Sequence, residues 1–354
     1  MKTRTYNIGL AIMAITLILL QSCHKSMSDG ENTPAIKIPV GKSTWTKLSF
    51  DSLFEYDRYV ILEANDESLI RHIDKLYKTS ERIFILDSFK RILIFDNNGR
   101  YVKTIDHTGN GPNEYVKLQD FDLEGDTLYI LDSQNERILK YSTDDKFIAS
   151  LDGKKAQGLI KFGGDTVAYN IGFGYADGED GNDYSYSLIT PQHSQYAICF
   201  NNAMLGRVYS HSGALPFYKP DCSGYLMALP FNGTIYAIDE ATMMPTSLVN
   251  ITIGDEKREI NSSTSQNEVE SIIKSDVTKV FYSIYRWGDD LFFGYDADDS
   301  PFVYAIVDLN GGQIKLNQAF RPDKNGFPIM PYSYMTDLRE SQKLMSVVDP
   351  IAIR

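Results

Sequence analysis

The chain has 354 residues, with 35 Lys and Arg against 47 Asp and Glu, for a formal net charge of −12. A surface this acidic is a poor partner for nucleic acid, whose binding rests on neutralising phosphates with Lys and Arg, and it keeps a protein soluble. Tyr (23) and Phe (18) are abundant, and both favour strands.

Residues 1–22 read as a targeting signal, outside any fold. Lys2 and Arg4 form a positive n-region, and IGLAIMAITLILL, Ile8 to Leu20, is apolar but shorter than the roughly 20 residues of a spanning helix. LQSC, residues 20–23, resembles the lipobox of bacterial lipoproteins, with Leu20 three places before the cysteine, small Ser22 just before it, and Gln21 a looser fit. That resemblance implies cleavage after Ser22 and lipidation of Cys23, hence attachment to a membrane. Several acyl chains make a stable anchor, because each buried methylene adds about 0.8 kcal/mol. Cleavage removes Lys2 and Arg4 and no acidic residue, so 33 basic residues face 47 acidic ones and the net charge becomes −14. Residues 23–45, polar and with no sustained periodicity, read as a flexible tether, and residues 46–354 as the folded domain. Asp29 and Glu31 near Cys23 resemble the acidic export signal of surface lipoproteins in Bacteroidetes-type bacteria.

From residue 72 the chain repeats itself. ERIFILDSFKRILIFDNNGRYVKTID, from Glu81, lies over DTLYILDSQNERILKYSTDDKFIASLD, from Asp126. Asp87 meets Asp132, Arg91 meets Arg137 after a one-residue insertion, and Asp106 meets Asp152. Each copy holds three strand-like runs and a fourth before it, HIDKLY or LQDFDL, and Asn98-Gly99 is a hairpin signal. Four short strands per roughly 45 residues are one blade of a β-propeller, and blades must stack to bury their faces. Fainter copies follow in DTVAYNI, GTIYAID and DLFFGYD, giving units that begin near residues 72, 118, 158, 223 and 281. RYVILEA, Arg58 to Ala64, and KLMSVVDPIAIR, Lys343 to Arg354, are expected to pair as a sixth blade and close the ring, hiding edge strands.

Between the first two copies lies GNGPNEY, residues 109–115. A phosphate cradle needs successive N–H groups at a helix N-terminus; Pro112 removes one donor and a strand pattern follows. The segment reads as an inter-blade bend that Glu114 and Tyr115 fasten, with His107, Asn110, Glu114 and Tyr115 as candidate ligand contacts on the propeller face. YADGEDGNDY, from Tyr175, is rich in carboxylates but lacks the spacing of a calcium loop. Cys199 and Cys222 are read as buried free thiols, although spacing does not exclude a disulfide. In SSTSQNEVESIIKSDVTKV, apolar residues at 269, 272, 273 and 280 predict a short surface helix over about 265–280, capped by the Ser and Thr ahead of it. YSIYRWGDD, from Tyr282, offers Arg286 and Trp287 as binding candidates, or else a strand with one buried face.

VILEANDESLI, ILIFDNNGRYV, GNGPNEYVKLQDFDL and LPFNGTIYAID together resemble the six-bladed β-propeller lipoproteins of Bacteroidetes, relatives of the NHL-repeat propellers. Asn113 stands where that family's link commonly has glycine. The resemblance implies an all-β, six-bladed fold and a cell-envelope location, and carries over no catalytic residue; with the lipobox, the expected address is a lipid anchor, in the outer membrane rather than the inner, with periplasmic and surface faces both open. The expected role is a binding or scaffold module for a glycan, a peptide or a partner protein. Some related propellers are metal-dependent lactonases or lyases, so a channel metal on inner-strand residues such as Asp74 or Asp120 is the enzymatic alternative. A purely structural subunit of an envelope complex is the third reading.

Overall fold

The computed structural model describes residues 33–41, 43, 45–46, 58–164, 166–170, 183–190, 194–200, 217–218, 224–229, 231–239, 241–254, 264–274, 281–297, 300–319 and 335–336. The signal segment, Cys23, Cys222, most of the acidic loop and residues 343–354 lie outside them.

A short strand β1 (Ala35–Ile38) comes first, then four-stranded antiparallel blades. The first blade is β2 (Ile73–Lys78), β3 (Arg82–Asp87), β4 (Ile92–Asp96) and β5 (Tyr101–Ile105). The second is β6 (Leu118–Glu124), β7 (Thr127–Asp132), β8 (Arg137–Ser142) and β9 (Phe147–Asp152). The third is β10 (Gly158–Lys161), β11 (Val167–Asn170), β12 (Asp183–Ile189) and β13 (Ser194–Phe200). The fourth is β14 (Phe217–Tyr218), β15 (Leu226–Ala228), β16 (Thr234–Ile238) and β17 (Pro245–Ile253). Helix α1 (Gln266–Lys274) precedes the fifth blade, β18 (Phe281–Trp287), β19 (Asp290–Ala297), β20 (Ser300–Asp308) and β21 (Ile314–Ala319), and β22 (Met335–Thr336) follows it. This is an all-β propeller with one short helix among the described residues.

Both faces of a blade are apolar, and the period-2 alternation of a strand sorts residues between them. In the first blade, Phe84, Leu86, Ile92 and Ile94 join the core shared with Phe121, Leu128, Ile130 and Leu139 of the second. Ile83, Ile85, Leu93 and Phe95 face the opposite way, onto Val60 and Leu62. A fully buried side chain of this kind contributes about 1.5–3 kcal/mol, which is why the repeat keeps Ile, Leu and Phe at these positions.

The described residues form five blades, not the six expected. Arg58 to Ala64 forms no strand. A Cβ at Gly99 would overlap the carbonyl of Ile61, so that segment lies directly against the β4–β5 hairpin. Glu63 N donates to Gly99 O at 2.7 Å, and Val60 and Leu62 cover the first blade while Ile61 stands 85% exposed. A strand-like alternation thus serves as a cover. Two other segments extend the blades. β1, within the stretch read as tether, pairs in parallel with β17 from Ala35–Asn250 to Ile38–Ile253 and buries Ile36 and Ile38. β22 pairs in parallel with β2, Met335 opposite Tyr77.

Turn chemistry repeats as well. In the β4–β5 hairpin Gly99 N donates to Asp96 O, Asp96 N to Arg100 O, and Gly99 has φ +85°. The β8–β9 turn makes the same bonds around Ser142, with Asp145 at φ +70° in the place of Gly99. Helix α1 starts with a capping box: Glu268 N donates to Ser265 Oγ, and Ser265 N donates to Glu268 Oε2 at 2.8 Å. Ile272 packs the helix onto the core.

Candidate functional site

The links between blades are built from the repeat itself. Asp132, at the end of β7 and fully buried, accepts hydrogen bonds from Val116 N, Lys117 N and Asn135 Nδ2, and pairs with Arg137 Nε at 3.2 Å. Burial works against ionisation there, but the bonds from Asn135, Lys117, Val116 and Arg137 outweigh it and hold the carboxyl below its ordinary range. Arg137 then reaches the carbonyls of Pro112 (3.3 Å), Gly111 (3.5 Å) and Glu114. The first blade carries the same device, since Asp87 pairs with Arg91 at 3.0 Å and Arg91 Nη2 donates to Leu69 O at 2.6 Å. An aspartate ending the second strand and an arginine near the start of the third therefore hold the chain that enters each of these two blades.

GNGPNEY folds as the bend read from its sequence. Glu114 Oε2 accepts from Gly111 N at 2.8 Å and lies where a Cβ on Gly109 would stand. Tyr115 is fully buried; its N donates to His107 O, and its hydroxyl accepts from His107 N at 3.2 Å. Burial pushes the Tyr115 phenol well above its ordinary range. His107 Nε2 donates to Asp145 Oδ1 at 2.7 Å, and its ring stacks on Tyr141 with centroids 4.8 Å apart. Burial raises the Tyr141 phenol to about 12, while its hydroxyl donates to Asn113 O. Of the four candidates here, His107, Glu114 and Tyr115 come together as braces of one bend, and Asn110 is exposed on it.

A second polar system joins the inner strands. Lys75 on β2, 1% exposed, pairs with Asp120 Oδ1 on β6 at 2.6 Å, donates to Phe121 O at 2.5 Å, and lies over the Phe121 ring. Asp120 Oδ2 accepts from Leu159 N of β10 at 3.0 Å. Two residues on, Asp122 Oδ2 accepts from Lys161 N at 2.8 Å and from the Tyr225 hydroxyl at 3.0 Å. Inner strands present unpaired N–H groups at a sheet edge, and here Asp120 and Asp122 of β6 satisfy those of Leu159 and Lys161 on β10. Lys75 and Asp120 are equivalent positions of the repeat, 45 residues apart; the repeat spacing was the signal that could have paired them.

Arg286 and Trp287 end β18. Trp287 is half-buried and stacks near Phe292 (6.4 Å), which stacks on Tyr304 (5.4 Å). Arg286 Nε donates to Gly288 O at 3.2 Å. The cluster is a packed blade face, with these two residues at its margin. Asp74 is held by Lys90 at 2.5 Å, so both carboxylates named for a channel metal already have lysine partners. Among the described residues no group of three or more His, Cys, Asp or Glu is placed to hold a metal ion. Cys199 lies on β13 opposite Tyr184.

Stacked four-stranded blades with inner strands tied by side chains define a β-propeller protein. The chain belongs to the DUF4934 family, a domain of unknown function whose model matches residues 34–353. Among solved structures it is similar to a Bacteroides fragilis protein described as exported, with a TM-score of 0.61 and 17% identity over 84% of this chain and 88% of that one. A DUF4221 family member from Bacteroides vulgatus gives a TM-score of 0.49 and 10% identity over 72% and 82%. No curated protein matches the sequence. Among the described residues no helix is long and apolar enough to cross a membrane.

Proposed function

We propose that the protein is a lipid-anchored binding or scaffold module of the cell envelope, tethered through Cys23 and presenting its propeller to a glycan, a peptide or a partner protein. One observation carries this reading: the charged residues of the links and inner strands are engaged in holding the fold. Asp87, Asp132, Glu114, His107, Asp120 and Lys75 all make structural bonds, so what the surface offers is shape and exposed side chains. Two further points support it: LQSC resembles a lipobox, and the Bacteroides fragilis neighbour is described as exported. The strand β1 begins 12 residues after Cys23, a reach of at most about 40 Å, which would hold the outer edge of the fourth blade near the membrane.

Radiolabelled palmitate incorporation and membrane fractionation test the anchor. The full chain is expected to carry label and to sediment with membranes, and Cys23→Ala to lose both. Label-free, soluble wild-type protein would refute the anchor. Failure of the purified propeller to retain any ligand from glycan arrays and peptide libraries would refute the binding role.

A further inference from the structure

The segment before β2 and the β3–β4 turn bring together Leu69, Arg71 and Phe89, all exposed, with Arg91, which also braces the first blade. Leu69 is 64% exposed and Phe89 57%. The guanidinium of Arg71 lies 6.0 Å from the Phe89 ring centroid and that of Arg91 5.4 Å from it, a cation–π arrangement on an aromatic ring that packs against no other ring among the described residues. The patch is fixed in place. Arg91 is tied to Leu69 O and to buried Asp87, and Ser88 N donates to His72 O at 3.1 Å. Asp87 and Asp74 are occupied by Arg91 and Lys90, whereas Arg71 forms no ion pair among the described residues. Arg71 is thus an exposed cation with no ion-pair partner among the described residues, on a chain of net charge −12.

We propose that Leu69, Arg71, Phe89 and Arg91 form a docking site for an acidic protein segment in which a carboxylate adjoins an apolar side chain. The proposal rests on the binding-module reading above and names its ligand. Guanidinium groups donate and never accept, and Leu and Phe do neither, so the four side chains match a carboxylate beside an apolar group. Sugar hydroxyls both donate and accept, and these side chains offer them no acceptor. Arginine and aromatic residues are also the types on which protein interfaces concentrate their binding energy.

The test is panning of a displayed random dodecapeptide library on residues 25–354, then on Arg71→Glu and Phe89→Ala. Enriched clones are expected to carry Asp or Glu next to Leu, Phe or Trp, and to weaken about tenfold or more on each variant, and with added salt. Phe89 and Arg71 are exposed, so both variants are expected to unfold at the wild-type temperature, which separates lost docking from lost fold. Clones without acidic residues, or clones retained equally by both variants, would overturn the site while leaving a binding module elsewhere on the propeller. No enrichment at all would overturn site and module together for peptides. Tighter retention of polygalacturonate oligosaccharides than of the acidic clones, or a self-association abolished by Arg71→Glu, would replace the proposed partner by a glycan or by a second copy.

Discussion

Replacing Asp120 by Ala tests the way the blades are joined. Asp120 accepts from Lys75 Nζ at 2.6 Å, Phe121 N at 2.8 Å and Leu159 N at 3.0 Å, and so touches three inner-strand segments on three blades, its own included. Its removal leaves a buried ammonium without its counter-charge, with Phe121 O as its remaining acceptor, and takes an acceptor from two backbone donors. Breaking a buried pair in this way costs about 3–5 kcal/mol. Lys75→Met is milder, about 1–3 kcal/mol, because Asp120 retains both backbone donors and a methionine fills the space of the lysine stem. For a domain of this length each kcal/mol lowers the midpoint by roughly 1.5 °C, so Asp120→Ala is expected to melt roughly 4–8 °C below wild type. The assay is urea unfolding of the two single variants and the double variant. Once Lys75 is gone, losing Asp120 should cost about 2 kcal/mol less than it does alone. A cost for Asp120→Ala below about 1 kcal/mol, or strictly additive variants, would refute the idea that carboxylates of one inner strand satisfy the next.

Three other outcomes follow from single positions. Gly99→Ala should lose at least about 2 kcal/mol, since φ +85° and the Ile61 carbonyl both oppose a Cβ, whereas Gly125→Ala, at φ +57° with open space, should lose only about 1 kcal/mol; chemical denaturation of the two variants decides it. The lowered pKa of Asp132 means that its contribution is present above the unfolded value of about 3.9 and is lost as pH falls through the folded value. The stability gap between wild type and Asp132→Asn, measured by urea unfolding, should therefore be full at pH 7 and narrow below about pH 4. Tyr115, Tyr169, Tyr186 and Tyr218 are all raised by burial. Their stabilisation is present below about pH 10 and lost as pH rises beyond it, so ultraviolet titration should show part of the phenolate signal appearing only together with unfolding.

How much of this could be read from the chain depends on how local each cause is. The first two blades were legible because their chemistry is written twice: Asp87 with Arg91 and Asp132 with Arg137 perform one task at one repeat spacing. Helix α1 was legible because its apolar spacing and its Ser265 cap lie within ten residues. The parallel pairing of β1 with β17 was not, because a four-residue strand finds a partner more than 200 positions away and its Ile-Lys-Ile pattern is too short to stand out. Among the described residues the N-terminal half of the expected sixth blade, Arg58 to Ala64, forms no strand, for a related reason. Val60 and Leu62 alternate as a strand would, yet they pack onto the first blade, where Gly99 has no side chain and lets the Ile61 carbonyl approach. For the site, His107, Glu114 and Tyr115 were recognisable as one loop braced within itself, but the bond from His107 to Asp145 depends on how the second blade meets the link. Phe89 was overlooked because an exposed ring in a turn gives no periodic signal.

The central claim is that this propeller binds a partner rather than running metal chemistry. The most direct test is thermal unfolding of residues 25–354 in chelator, and then with calcium, zinc or magnesium added. A resident metal at 100 times its dissociation constant would add about 2.7 kcal/mol, or roughly 4 °C for a domain of this length. The account predicts one midpoint, the same within about a degree, in chelator and with each metal. A rise of several degrees specific to one metal would contradict it and point to an ion among the inner strands.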